Sequence, residues 1–275
     1  MRERNYVPNW FRRQLLPVTG TGSALLLIVA CLCAPWVAPF DPVAIDLSIG
    51  LQPPSIDHWL GTDELGRDVL SRVLWGGRIS ITVTAVVLLI SLTIGVLVGL
   101  VSGYRGGWVD ELSMRLTDFV YALPSIILAL ALIGALGPSI PALVFALSLS
   151  GWVRYARLTR SLVLTVKTSD YVLAAHALGG TDIWIMRKHF LPALMGPVAV
   201  QLSLDVGVIV FAVAGLSFLG LGIQPPTPEW GTMLVDARPF MDYAPHLVWP
   251  PGMAIFILVF GCNTLGAGLE EWLRR

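Results

Sequence analysis

The chain has 275 residues, of which 55% are apolar and 13% charged, with 18 Lys and Arg balancing 18 Asp and Glu and a mean hydropathy of +0.75. Soluble domains carry about 25% charged residues, so this chain has too little charge to cover a water-facing surface. The even balance excludes a nucleic-acid-binding surface and the apolar content excludes a disordered or collagenous chain. Cys31, Cys33 and Cys262 all lie in apolar runs and give no disulfide framework.

An all-α polytopic membrane protein follows. Six apolar stretches predict six spanning helices, at 18–38, 79–103, 119–136, 140–153, 193–216 and 247–268. The fourth reaches spanning length only if it continues through Arg157. The domain plan is an N-terminal segment 1–17, a first span 18–38, an outer segment 39–78, a five-helix core 79–268 and a tail 269–275. With both termini inside, Arg2, Arg4, Arg12, Arg13, Arg105, Arg115, Arg154, Arg157, Arg160, Lys167, Arg187, Lys188, Arg274 and Arg275 face the cytoplasm. Only Arg67, Arg72, Arg78 and Arg238 face outward, and this asymmetry orients the chain. Trp36, Trp75, Trp108, Trp152, Trp249 and Trp272 fall near span ends, where amphipathic rings settle. Arg12, Arg13 and the apolar run before Cys31 resemble a secretory signal. Five further spans follow, so the run is expected to stay as an uncleaved helix.

The outer segment opens with Pro39, Pro42, Pro53 and Pro54. Asp63 is then expected to cap an amphipathic helix carrying Leu65, Val69, Leu70, Val73 and Leu74 on one face. Glu64–Arg67 and Asp68–Arg72 are spaced to pair on its polar face, and Gly76–Gly77 would end it. Such a helix either packs on the spans or offers a partner a docking surface.

The inner connection 154–192 carries two short helices. Asp170 is expected to cap 171–178, which stops at Gly179–Gly180, and Thr181 or Asp182 caps 183–190. Pro192 then sits near the first turn of the fifth span. Ala174, Ala175 and Ala177 leave a shallow helix face that another protein can approach closely. In the fifth span Asp205 is a carboxylate deep in the bilayer, where its charge demands a cavity or a partner. With Gln201, Ser203 and, from the sixth span, Asn263, it forms a candidate translocation path; an interhelical hydrogen bond is the alternative. The last outer loop, 217–246, is stiffened by Pro225, Pro226, Pro228 and Pro239. Trp230, Met233 and Leu234 give it an apolar face suited to a gate or a receptor contact, or to a folded cap. His58, His176, His189 and His246 do not converge on a metal site by spacing, and no metal or cofactor is expected on this chain.

Ala174-Ala175, three residues, Gly179, then Leu191-Pro192 resembles the EAA loop of permease subunits of bacterial binding-protein-dependent ABC importers. Leu173 stands at the usual Glu position and His189 at the usual Ile. Two further stretches resemble the peptide/opine/nickel branch: WLGTDELGRDVLSR at 59–72, and LSFLGLG at 216–222 followed by QPPTPEWG at 224–231. Three motifs in order are similar to the C-type permease subunit across nearly the whole chain. The resemblance implies a type I ABC importer permease fold in the bacterial inner membrane with the outer segments periplasmic. It implies a homologous sister permease, two ATPase subunits and a periplasmic binding protein as partners. Leu173, Ala174, Ala175, His176, Gly179, Leu191 and Pro192 become ATPase-coupling residues. The chain has no G-x-x-x-x-G-K-[ST] loop, so ATP and Mg belong to the partners and the subunit is expected to be non-catalytic. Runs around Asp205, 155–157 and 160–163 resemble nickel permeases, which makes nickel or a nickel chelate the expected cargo, with dipeptides, oligopeptides or opines as the alternative. An ion-coupled secondary transporter would need charge pairs and inverted repeats; an enzyme would need clustered catalytic groups.

Overall fold

A computed structural model describes residues 16–273, with side chains from Thr19 onward. The arginines expected at both cytoplasmic ends, Arg2, Arg4, Arg12, Arg13, Arg274 and Arg275, lie outside the described residues. Those described hold α-helices joined by loops, the longest of them before α3, and no β-strand. In chain order they form α1 (Leu16–Leu32), α2 (Ala34–Val37), α3 (Val69–Arg105), α4 (Gly107–Ala122), α5 (Ser125–Leu136), α6 (Ile140–Lys167), α7 (Asp170–Ala177), α8 (Asp182–Ile185), α9 (Leu191–Phe218), α10 (Trp230–Ala237) and α11 (Trp249–Leu273).

The six apolar stretches all fall on helices, but the helices differ from simple rods. Among the described residues three are long and apolar enough to cross a membrane: Val69–Arg105, Asp182–Phe218 and Pro245–Leu273. The stretch expected as one span at 119–136 is instead two helices, α4 and α5, meeting at 84°. Pro124 has no N–H to continue the ladder and forces Leu123 into extended backbone (φ −87°, ψ 127°). The fourth stretch does run on, as α6, for 28 residues. It therefore carries Arg154, Arg157 and Arg160 on a helix rather than in the inner loop where charge alone places them.

The outer segment departs from expectation in a related way. Asp63 does not cap a helix. Asp68 does, its Oδ2 accepting from the Ser71 N–H at 2.8 Å, and α3 then runs through Gly76–Gly77 for 37 residues. These glycines permit close approach: a Cβ on Gly77 would meet the Cys31 and Trp230 side chains, and one on Gly76 the Glu229 backbone at 3.3 Å.

The most extensive packing is between α3 and α6, and it rests on a glycine stripe. A Cβ on Gly95 would strike the Trp152 carbonyl and Tyr155, one on Gly99 the Ala156 carbonyl and Thr159, and one on Gly103 Val163. Spaced by four, the three glycines lie on one helix face and let the backbones approach, which is how helices gain contact where lipid supplies no hydrophobic drive. Gly99→Leu is expected to push α6 off α3, at a cost of about 3 kcal/mol; a thermal unfolding midpoint within experimental error of the parent in detergent would refute this.

Large apolar side chains remain exposed on the outer faces of several helices, among them Leu26 (α1), Ile127 (α5), Phe211 (α9) and Phe256 (α11). Faces of this size match lipid or other membrane helices rather than water.

Candidate functional site

Between α6 and α9, α7 and α8 form an open groove. Ser169, not Asp170, occupies the N-cap of α7. The helix ends as the sequence predicts: Gly179, at φ +81°, donates to the His176 carbonyl and Gly180 to the Ala175 carbonyl, both at 3.0 Å. This paired closure needs a left-handed residue at Gly179. Thr181 accepts from the Trp184 N–H to start α8. A π-helical turn, Met186–Phe190, then fuses α8 to α9, the Leu191 N–H reaching back to the Met186 carbonyl. Pro192 thus follows a widened turn rather than a free helix end, because it cannot donate to the carbonyl four residues back.

Ala174, Ala175, Leu178, Gly179, Trp184 and His189 are among the residues lining the groove, whose volume is about 660 Å³. The His189 ring sits between Tyr171 and Trp184, at centroid distances of 5.5 and 5.4 Å, with its Nε2 buried and unpartnered. Of the other residues expected to act here, Leu173 is exposed beside the groove and His176 stacks on Tyr104 at 6.3 Å. Leu191 lines a separate apolar depression with Leu97 and Leu194, and Pro192 is exposed. Beneath the groove, Tyr104, Val163, Val172, Ile185, Phe190 and Leu194 form one buried cluster. The Tyr104 hydroxyl donates to Asp182 at 2.6 Å and the Lys167 ammonium to the Tyr104 carbonyl at 2.6 Å. The groove helices are therefore keyed to the ends of α3, α6 and α9.

The proposed path residues do not form one set. Asp205 is 1% exposed; its Oδ1 forms an ion pair with Arg154 Nη1 at 2.8 Å and accepts from Gln201 Nε2 at 3.1 Å. Its Oδ2 and the nearby Tyr155 hydroxyl are both buried without a hydrogen-bond partner. Ser203 turns away, donating to the Val200 carbonyl at 2.7 Å and packing where a Cβ on Gly266 would fall. Asn263 is exposed in an apolar depression on another face, with Phe211, Phe256 and Phe260. Arg154, assigned to the inner loop by its charge, is the residue missing from that set.

At the opposite end of α3, the segment before it and the loop containing α10 are one packed unit. Trp230 is fully buried and donates from Nε1 to the Val73 carbonyl at 2.9 Å. Glu229, 1% exposed, caps α10 by accepting from the Thr232 N–H at 3.0 Å and accepts from Ser80 Oγ at 3.0 Å. Trp230 and Met233 thus face the interior, and Leu234 is half-buried against the same core; the apolar face expected at the surface is turned onto α3. The ion pairs also differ. Glu64–Arg67 forms, at 2.9 Å, but Asp68 pairs with His58 at 2.9 Å. Arg67 and Arg72 converge on Asp63 Oδ2 at 2.6 and 3.2 Å, and Arg72 reaches Asp236 before α10 ends, at 3.8 Å.

Burial raises the carboxyls of Glu64 and Asp236 above their ordinary values. A raised acid contributes most to stability below its unfolded-state value, and that contribution is lost as pH rises through its folded-state value. Glu64→Gln is accordingly expected to make the unfolding temperature less sensitive to pH just above 4.5, glutamate's ordinary value; an unchanged slope in a pH-dependent melting series would contradict the assignment.

Comparison with known proteins gives a consistent picture. Residues 95–275 match the family model for the binding-protein-dependent transport system inner membrane component. The chain is 41% identical over 264 residues to the glutathione transport system permease protein GsiD of Escherichia coli O1:K1 / APEC, covering 96% of this chain and 87% of that protein. It is 40% identical to the protein of the same name from Shigella boydii serotype 4, with the same coverage. Among solved structures it resembles an amino acid ABC transporter crystallised with histidines, at a TM-score of 0.53 and 17% identity, over 75% of this chain and 94% of that one. That likeness is one of fold.

Proposed function

From the premise that the chain belongs to the binding-protein-dependent transport system inner membrane component family, we propose that it is one permease subunit of an ATP-driven importer of short peptides or peptide-like compounds. It spans the bacterial inner membrane six times with both termini cytoplasmic and pairs with a homologous sister permease. Two ATPase subunits carry ATP and Mg, and a periplasmic binding protein delivers cargo to the unit built by the outer segment and α10. The α7–α8 groove, with Ala174, Ala175 and Gly179, receives the ATPase, and the Tyr104–Phe190 cluster passes its movement to α3, α6 and α9.

The observation that carries the cargo class is 41% identity over 96% of the chain to a permease named for glutathione, a tripeptide. Nickel, the cargo suggested by the sequence runs around Asp205, loses its chemical support. A carboxylate free on the path would have suited a cation, and Asp205 is buried and paired with Arg154.

Uptake by proteoliposomes containing the full complex, supplied in turn with labelled glutathione, tri-alanine and radioactive nickel, tests the reading. ATP-dependent uptake of either peptide without nickel is the expected result; nickel uptake alone would overturn it.

A further inference from the structure

Arg154 and Asp205 lie at the midpoints of their helices, each about 20 Å along the axis from either end of α6 or α9. A charge lodged between packed helices is costly unless it meets a partner or an open cavity. Asp205 has the partner, and Arg154 has both. Asp205 is sealed behind α6, its side chain 2% exposed, whereas the Arg154 side chain is 39% exposed. Arg154 opens into a cavity of about 340 Å³ that Tyr121, Pro124, Ser125, Ser150 and Ile209 also line.

We propose that Arg154, positioned by Asp205, is the site within the membrane that receives a carboxylate of the peptide cargo. Guanidinium carries five donors in a planar fork matched to a carboxylate. The recorded contact with Asp205 uses Nη1, which leaves donors for a second anion. Gln201 shares the same Asp205 oxygen, so the carboxylate is held against α6 from its own helix and fixes the direction of the fork. No acidic residue lines the cavity, so a cation finds no counter-charge there. At its edge α5 begins at Ser125 without a side-chain cap, and the free N–H groups of its first turn add to the preference for negative charge.

Pairing with Asp205 also limits how tightly the site holds. A lone buried arginine would trap a carboxylate, whereas conduction requires a site that cargo can leave. An arginine already neutralised by its partner offers hydrogen-bond geometry without a net charge.

The inference rests on the peptide-import reading, and the test separates the two. In proteoliposomes holding the complete importer and its binding protein, labelled glutathione uptake and ATP hydrolysis are measured together. Arg154→Gln is expected to lower glutathione transported per ATP by about tenfold or more, the range for one charge-assisted hydrogen bond, while binding-protein-stimulated hydrolysis persists. Arg154→Lys, which keeps the charge but not the fork, is expected to retain an intermediate ratio, and Asp205→Asn to lower the ratio in the same way as a loss of positioning. If Arg154→Gln does not assemble, the Arg154→Lys ratio decides alone. Wild-type transport of glutathione with an unchanged ratio in Arg154→Gln, or in Arg154→Lys where only that variant assembles, overturns this proposal and leaves the cargo reading standing. Failure of the wild-type importer to move either glutathione or tri-alanine overturns both.

Discussion

Gly179→Val is expected to separate the permease from its ATPase while leaving the membrane bundle intact. Gly179 holds φ at +81°, and nothing lies within 4 Å of where its Cβ would be. The penalty is therefore one of backbone conformation alone: a β-branched residue is strongly disfavoured in the left-handed region. The paired closure onto His176 and Ala175 opens, Thr181 no longer starts α8 in register, and the groove loses its shape. Because Gly179 is exposed and remote from the α3–α6 seam, insertion and pairing with other permease subunits should persist. Co-purified ATPase should fall by about tenfold, equivalent to roughly 1.4 kcal/mol at the interface. Gly179→Asn, a residue that enters the left-handed region more readily, should retain most of the association. Ala175→Arg attacks the same surface by a second route, filling the groove floor with a charged side chain. Wild-type ATPase recovery in both Gly179→Val and Ala175→Arg would remove the coupling role from this groove.

How much of this could be read from the chain depended on how local each feature is. The α7 helix, its stop at Gly179 and the Thr181 cap use neighbours within a few residues, so their spacing shows in the sequence. The Pro124 break lies within an apolar run, and the proline itself was the available signal; composition of the run outweighed it. Likewise Gly95, Gly99 and Gly103 recur every fourth residue, which marks a packing face, although nothing in the sequence says that α6 is what packs there. Arg154 is the harder case. Hydropathy falls at Arg154, and a falling profile ends a span by any local rule. Its partner Asp205 comes from a helix on the far side of the groove segment, and no local pattern announces that pairing. Trp230 and Met233 show the converse: an apolar face on a loop helix reads as a contact surface until the start of α3 is found covering it.

The outer ion pairs taught the same lesson at shorter range, and they carry the other large expected effect. Helical spacing predicts Asp68–Arg72, yet Asp68 is taken by the α3 cap and His58. Arg72 turns back to Asp63 and across to Asp236. Asp63 is the hinge of this arrangement: its Oδ1 accepts from the Leu65 and Arg67 N–H groups, at 3.0 and 2.9 Å, and its Oδ2 meets both guanidiniums. Arg67 and Arg72 are 5% and 3% exposed. Asp63→Ala would leave two like charges buried side by side with only Glu64 and the more distant Asp236 to offset them. Removing one partner of a buried pair costs about 3–5 kcal/mol, enough to lower the amount of folded protein in the membrane severalfold. The size of the loss should depend on the stranded charge rather than on the missing carboxylate. Adding Arg72→Met to Asp63→Ala is therefore expected to recover part of the folded protein, since it replaces one of the two orphaned guanidiniums with an apolar side chain of similar length. Quantitative immunoblotting of membranes and thermal unfolding of the purified subunit measure both variants. A double variant no more stable than Asp63→Ala would mean that Asp63 acts by shaping the turn through its two backbone hydrogen bonds, not by neutralising the arginines.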